Sequence, residues 1–211
     1  MSKIISLPVF LLFLIACNNK KSEKNNPVIK IPTTDSSTRI RPERAVNPYA
    51  TVDVSPMDMS YYPVDYPKVK MSNSSIEPPL ARIVYSRPHL QGRDLFKDVL
   101  KYGEPWRLGA NESTELDLYK DATIQGKKIK AGRYVLYCIP EQDKWTIVFN
   151  SNIDSWGLHQ DATKDIARIT IPSKQISTPI EFFTIVFENV NEKPVLVMAW
   201  GNVEARLPMT F

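Results

Sequence analysis

Short apolar runs that alternate with polar residues recur between turn signals along most of the chain. In Trp145–Asn150 (WTIVFN), Trp145, Ile147 and Phe149 fall on one face of a period-two pattern, which predicts a half-buried strand. The same reading predicts strands at Ala81–Ser86, Thr114–Tyr119, Arg133–Ile139, Ala167–Ile171, Glu181–Phe187, Val195–Trp200 and Val203–Met209. QGKK, AG, PEQDK, ENVNEK and GN have the length and composition of hairpin turns. Short strands connected in this way predict an all-β, mainly antiparallel fold, a single β-sandwich or barrel-like domain. One short helix is expected at Asp94–Lys101, where Leu95, Phe96, Val99 and Leu100 share a side and Gly103 and Pro105 stop the turn. Its apolar face would pack inward and close one end of the domain. Pro172–Pro179 reads as a polar connector, and residues 151–165 read as a longer loop around Trp156, Gly157, Leu158 and His159.

The N-terminus follows another pattern. Lys3 precedes an apolar run from Leu7 to Ile15, then Ala16 and Cys17, and polar Asn18, Asn19, Lys20 and Lys21 follow at once. The run is shorter than the ~20 residues a spanning helix requires, and it reads as a secretory leader. Leu14-Ile15-Ala16-Cys17 resembles the bacterial lipobox, which implies a signal peptide over residues 1–16 and lipidation of Cys17. Residues 17–50, rich in Asn, Ser, Thr, Lys and Pro, hold too little apolar surface to order themselves and are expected to be a flexible tether. Such a coil spans about 30 Å on average. The β-rich domain is then expected over 51–211, lipid-anchored to a membrane of the cell envelope. Asn18-Asn19 lacks an inner-membrane-retention aspartate and no acidic surface-export run follows, so inner and outer membrane both stay open.

Charge narrows the class of partner. The net charge is +4, but residues 18–48 carry seven basic residues against three acidic ones, and residues 49–211 carry 19 against 20. A domain with no basic excess is not expected to bind nucleic acid, whereas a basic tether behind a lipid suits an anionic membrane surface. With Cys17 lipidated, Cys138 has no disulfide partner. Cys138 lies in the apolar run Tyr134–Ile139 and reads as a small buried hydrophobe. His89 and His159 belong to no ligand cluster, and Asp53, Asp58 and Asp65 lack calcium-loop spacing, so neither a metal nor a cofactor is expected. Ser86 beside Arg87 and His89 is only a fragment of a hydrolase triad, with no Gly-x-Ser-x-Gly elbow.

The richest chemistry lies where arginines meet an aromatic. Arg87, Arg93 and Arg107 sit at a strand end, at the start of the helix and beside Trp106, so the helical excursion is expected to return Trp106-Arg107 toward Arg87. Guanidinium forks bind carboxylates or phosphates through paired hydrogen bonds. With Asn111 as an adaptable amide and Glu112 beside it, this predicts a ligand site for a small anion or a carbohydrate. The opposing expectation is structural. Arg107 pairs internally with Glu112 or Asp94, Trp106 fills the core, and Asn111 caps a turn.

Four runs taken together resemble a known family: SPMDMSYYP (55–63), PPLARIVYSRPHLQGRDLF (78–96), YGEPWRLGANEST (102–114) and AGRYVLYCIPEQDKWTIVFN (131–150). The chain is similar to the bacterial domain-of-unknown-function family 2911, common in Bacteroidetes lipoproteins, from about Ser55 to Phe211. The resemblance implies a compact β-rich domain behind a secretion or lipoprotein signal, and no particular reaction. The expected function is a membrane-anchored binding or interaction module. One alternative is an envelope hydrolase or isomerase using acids such as Glu112 and Asp117. Another is a structural domain that docks on a partner protein.

Overall fold

The chain forms β1 (Met57–Tyr62), β2 (Ala81–Ser86), β3 (Thr114–Leu118), a small hairpin of β4 (Ala122–Ile124) and β5 (Lys127–Ile129), β6 (Gly132–Pro140), β7 (Lys144–Asn150), β8 (Asp165–Val190) and β9 (Lys193–Pro208). The structure is a computed structural model and describes residues 53–153 and 155–211. These belong to the second of the chain's two units, Asn47–Phe211. The signal peptide expected over 1–16, lipid-bearing Cys17, the tether of 17–50 and the first two residues of the expected domain lie outside the described residues.

Seven strands form one antiparallel sheet in the order β1-β2-β3-β6-β7-β8-β9. Alternation builds its interior. Trp145, Ile147 and Phe149 of β7 are fully buried. Their cross-strand partners include Cys138 and Leu136 on β6 and Ile171, Ile169 and Ala167 on β8, all of them buried as well. Burying each large apolar side chain of this layer stabilises the sheet by about 1.5–3 kcal/mol.

β8 and β9 are long enough to serve two walls. The first part of β8 pairs with β7, from Asp165 to Pro172, and the rest pairs with β9, at Ser173–Gln175 and, in its last part, from Ile180 to Val190. That last part also runs beside the open edge of the sheet. Phe183 N–H donates to Pro88 O (2.8 Å), Leu90 N–H to Glu181 O (3.1 Å) and Phe187 N–H to Ser60 Oγ (3.0 Å). The sheet therefore curls into a nearly closed barrel.

Pro172–Pro179 is strand rather than connector. Proline cannot donate to a ladder, and it is accommodated where pairing ends or slips. Pro172 meets the end of β7 at Lys144, and Pro179 falls in the register shift between Gln175 and Ile180. Gly201-Asn202, expected as a hairpin turn, lies inside β9. Gly201 has φ +57° and stands opposite Ile180 at that same shift, which marks a bulge. The expected helix is one turn of π-helix, Leu95–Val99, capped by Asp94, whose carboxylate accepts from the N–H groups of Phe96 and Lys97. Leu95 and Leu100 are buried, and Phe96 and Val99 pack against the same core. A helix at Tyr66–Ser72 buries none of its residues, so no apolar face announces it. No helix among the described residues is long and apolar enough to cross a membrane.

Candidate functional site

Trp106 to Ser113 leads from the helical turn into β3, and backbone bonds fix its start. Trp106 N–H donates to Cys138 O and Cys138 N–H to Trp106 O, both at 2.7 Å, so Trp106 sits on the edge of β6 beyond the end of β3. The indole stacks on Trp200 (centroids 5.6 Å apart, planes 23°) and meets Phe183 and Trp145 edge-on. Its Nε1–H donates to Gly109 O at 3.1 Å. Leu108 is fully buried, and its carbonyl accepts from Thr114 Oγ1 at 2.6 Å. Gly109 sits tightly against β2, because a Cβ there would lie 3.1 Å from Ser86 O. This half of the stretch is a structural pin.

Arg107 is held differently. Its Nη1 donates to Asn111 O (2.6 Å) and Trp156 O (3.4 Å), and it forms no salt bridge among the described residues. The expected pairing with Glu112 or Asp94 does not form; Asp94 pairs with Lys97. Arg93 is similar: Nε donates to Leu90 O (2.8 Å) and Nη2 to His89 O (2.7 Å), again with no carboxylate. Each guanidinium has five N–H donors. Nη1 of Arg93, and Nε and Nη2 of Arg107, keep donors without a partner among the described residues.

Both arginines line one cavity of about 390 Å³, floored by Trp106 and Trp200 and walled by Val99, Leu100, Pro105 and Leu158. Among the described residues its lining includes no carboxylate. Two cations that share a cavity repel each other unless an anion compensates. Gly157, in the long loop, completes the wall. Its φ is +80°, and a Cβ there would sit 2.6 Å from Ser113 Oγ and 3.0 Å from Arg107 Cβ. The loop backbone thus lies directly on the Arg107 side chain, and Ser113 Oγ donates to Ser155 O (2.6 Å) beside it. Gly157 and Leu158 carry no chemical group that marks a site in the sequence. The only available signal was a glycine set between two large apolar residues in an otherwise polar loop.

The other expected site residues go elsewhere. Arg87 donates to Asp58 Oδ2 (3.1 Å), Phe183 O (3.2 Å) and Thr184 Oγ1 (3.3 Å), linking β1 to the last part of β8. It fastens the barrel seam and does not line the cavity. Asn111 takes a left-handed φ of +61°, a conformation asparagine tolerates well, and its amide donates to Asp53. Glu112 borders a neighbouring cavity of about 510 Å³ with Met57, Glu115, Ile153 and Trp156. Asp117 is held by Arg82 (2.6 Å) and Arg133 (2.9 Å) on the outside of the sheet and does not border that cavity.

Ser86 is buried and donates to Met57 Sδ, while His89 stacks on Phe182 and bonds Gln91, so the two form no nucleophile–base pair. Burial pushes the Cys138 thiol well above its ordinary pKa, which keeps it protonated and unreactive. No group of three or more His, Cys, Asp or Glu side chains among the described residues is placed to hold a metal.

The chain belongs to the family described as Protein of unknown function (DUF2911), whose model matches residues 67–209. The match takes in Arg93, Trp106, Arg107, Gly157 and Leu158 and begins after β1. No curated protein matches the chain. No solved structure matches it either.

Proposed function

We propose that the chain is a lipid-anchored protein of the bacterial envelope, a Bacteroidetes-type lipoprotein, whose barrel binds a small anionic or carbohydrate ligand between Arg93 and Arg107. The observation that carries the ligand reading is a cavity lined by two guanidiniums that have no carboxylate partner among the described residues. Arg107→Ala is expected to leave stability within about 1 kcal/mol, since it strands no buried acid. A ligand that binds only the folded state raises the melting temperature. Arg107→Ala should abolish the rise that small anions produce in the unaltered chain. A panel of phosphate, sulfate and organic acids that shifts neither protein would overturn the reading.

The anchor rests on Leu14-Ile15-Ala16-Cys17 behind a basic and apolar leader. Cys17→Ser is expected to leave the precursor uncleaved by the lipoprotein signal peptidase and unlabelled by a clickable fatty acid. Normal cleavage with membrane retention in that variant would remove the anchor from the proposal. A second reading, docking on a partner protein, draws on Met57 (52% exposed), Ile153 (39%) and Trp156 (63%) around the neighbouring cavity. Apolar residues grouped at one surface mark contact sites. Trp156→Ser should then weaken partner crosslinking in cells while anion binding is unchanged.

A further inference from the structure

We infer that the ligand between Arg93 and Arg107 is a carboxylic acid with an apolar body, aliphatic or aromatic, rather than a free phosphate or a sugar acid; this rests on the anion-binding reading. The charged donors of the cavity are the two guanidiniums, and Val99, Leu100, Pro105 and Leu158 add hydrocarbon to its lining. Arginine donates and never accepts. Five carbonyl groups beside the arginines and Trp106 already accept bonds: His89 O and Leu90 O from Arg93, Asn111 O and Trp156 O from Arg107, and Gly109 O from Trp106. Among the described residues, Ser55 supplies the only side-chain hydroxyl in the lining.

A sugar hydroxyl placed here would exchange water largely for carbonyls that already carry a hydrogen bond, a poor exchange for each group that is buried. The indole of Trp106 gives part of its surface to Trp200, Phe183 and Trp145, which leaves less of it for a sugar to stack on. Free phosphate would satisfy the arginines and leave the rest of the cavity unused. About 390 Å³ lies within the range of organic-ligand sites. A carboxylate accepts from both guanidiniums as a fork, and an attached hydrocarbon covers Val99, Leu100, Pro105 and Leu158. Leu158 stands 53% exposed at the rim, on the loop that Gly157 presses onto Arg107, where a chain or ring leaving the cavity would shield it.

The test is calorimetric titration of the full chain, in a non-ionic detergent, with hexanoate, phenylacetate, glucuronate, phosphate and the neutral hexanol, with tryptophan fluorescence as a second readout. Hexanoate or phenylacetate should bind at least tenfold more tightly than glucuronate, phosphate or hexanol, with a negative heat-capacity change. The stronger of the two separates a lipid-derived chain from an aromatic acid. Arg107→Gln should weaken that acid at least tenfold. Leu158→Ser should weaken it several-fold and leave phosphate unchanged. Phosphate or glucuronate binding as tightly as the apolar acids would overturn this inference while the anion site stands. Binding by none of the anions would remove both.

Discussion

Trp106→Ala is expected to lower the unfolding free energy by about 3–5 kcal/mol, the largest single-residue effect in the candidate region. The indole touches three aromatic rings, Trp200, Phe183 and Trp145, and its N–H donates to Gly109 O. Removing it opens a void in the aromatic core and orphans a carbonyl at the turn that Gly109 makes against Ser86. For a domain of this size the melting temperature should fall by roughly 10 °C. Trp106→Phe restores much of the packing and loses only the hydrogen bond, so about 1–2 kcal/mol is expected. Urea unfolding of the three proteins checks the series. An Ala variant within 1 kcal/mol of the parent would show that Trp106 is a surface group serving the cavity alone. Together with Arg107→Ala, the series separates two neighbours in sequence: one carries the fold, and the other faces a ligand.

That separation was only partly legible. The interior of the sheet was readable because its alternation is clean: ARIVYS becomes β2 over the predicted residues, and WTIVFN gives β7 apart from Lys144. β1 was hidden because Met57 and Met59, its apolar outward positions, face solvent at 52% and 51% exposure, which inverts the usual signal. Missing β1 also hid Asp58, the partner that draws Arg87 away from Arg93 and Arg107. The course of the chain after Arg87 depends on left-handed Gln91 and Gly92, whose turn brings Arg93 back onto the carbonyls of His89 and Leu90. Sequence spacing carries no information about which way such a turn points. β8 was broken in two by its prolines, although both stand where the ladder ends or slips. The loop wall of the cavity was invisible for a simpler reason. Gly157 matters through what it excludes, a Cβ against Arg107, and exclusion leaves no periodic trace.

On the alkaline side, stability is expected to fall by about 2 kcal/mol between pH 10 and 12 through Tyr137 alone. Tyr137 lies on the outer face of β6 yet is 1% exposed. Its hydroxyl donates to the Asp165 carboxylate at 3.0 and 2.9 Å, and that carboxylate also accepts from Asn150 Nδ2 (2.7 Å) and Arg168 Nη2 (2.7 Å). Burial, and then the bond to Asp165 and its charge, push the phenol up from 10.0 to about 12, while Arg168 opposes part of the rise. Below pH 10 the phenol is neutral in both states and its contribution is fully present. Between 10 and 12 the unfolded chain releases the proton while the folded chain still holds it, so rising pH favours unfolding. Tyr137→Phe loses the hydrogen bond, about 1 kcal/mol at neutral pH, but has no proton to release. Its stability should therefore approach that of the parent as pH climbs and match or exceed it near the top of the range. Tyr85 and Tyr134 are also raised, chiefly by burial, and they add the same slope to both proteins, so the difference isolates Tyr137. Urea midpoints measured from about pH 8 to about pH 12 decide the matter. Two curves that stay parallel would mean that Tyr137 ionises as readily in the barrel as in the unfolded chain.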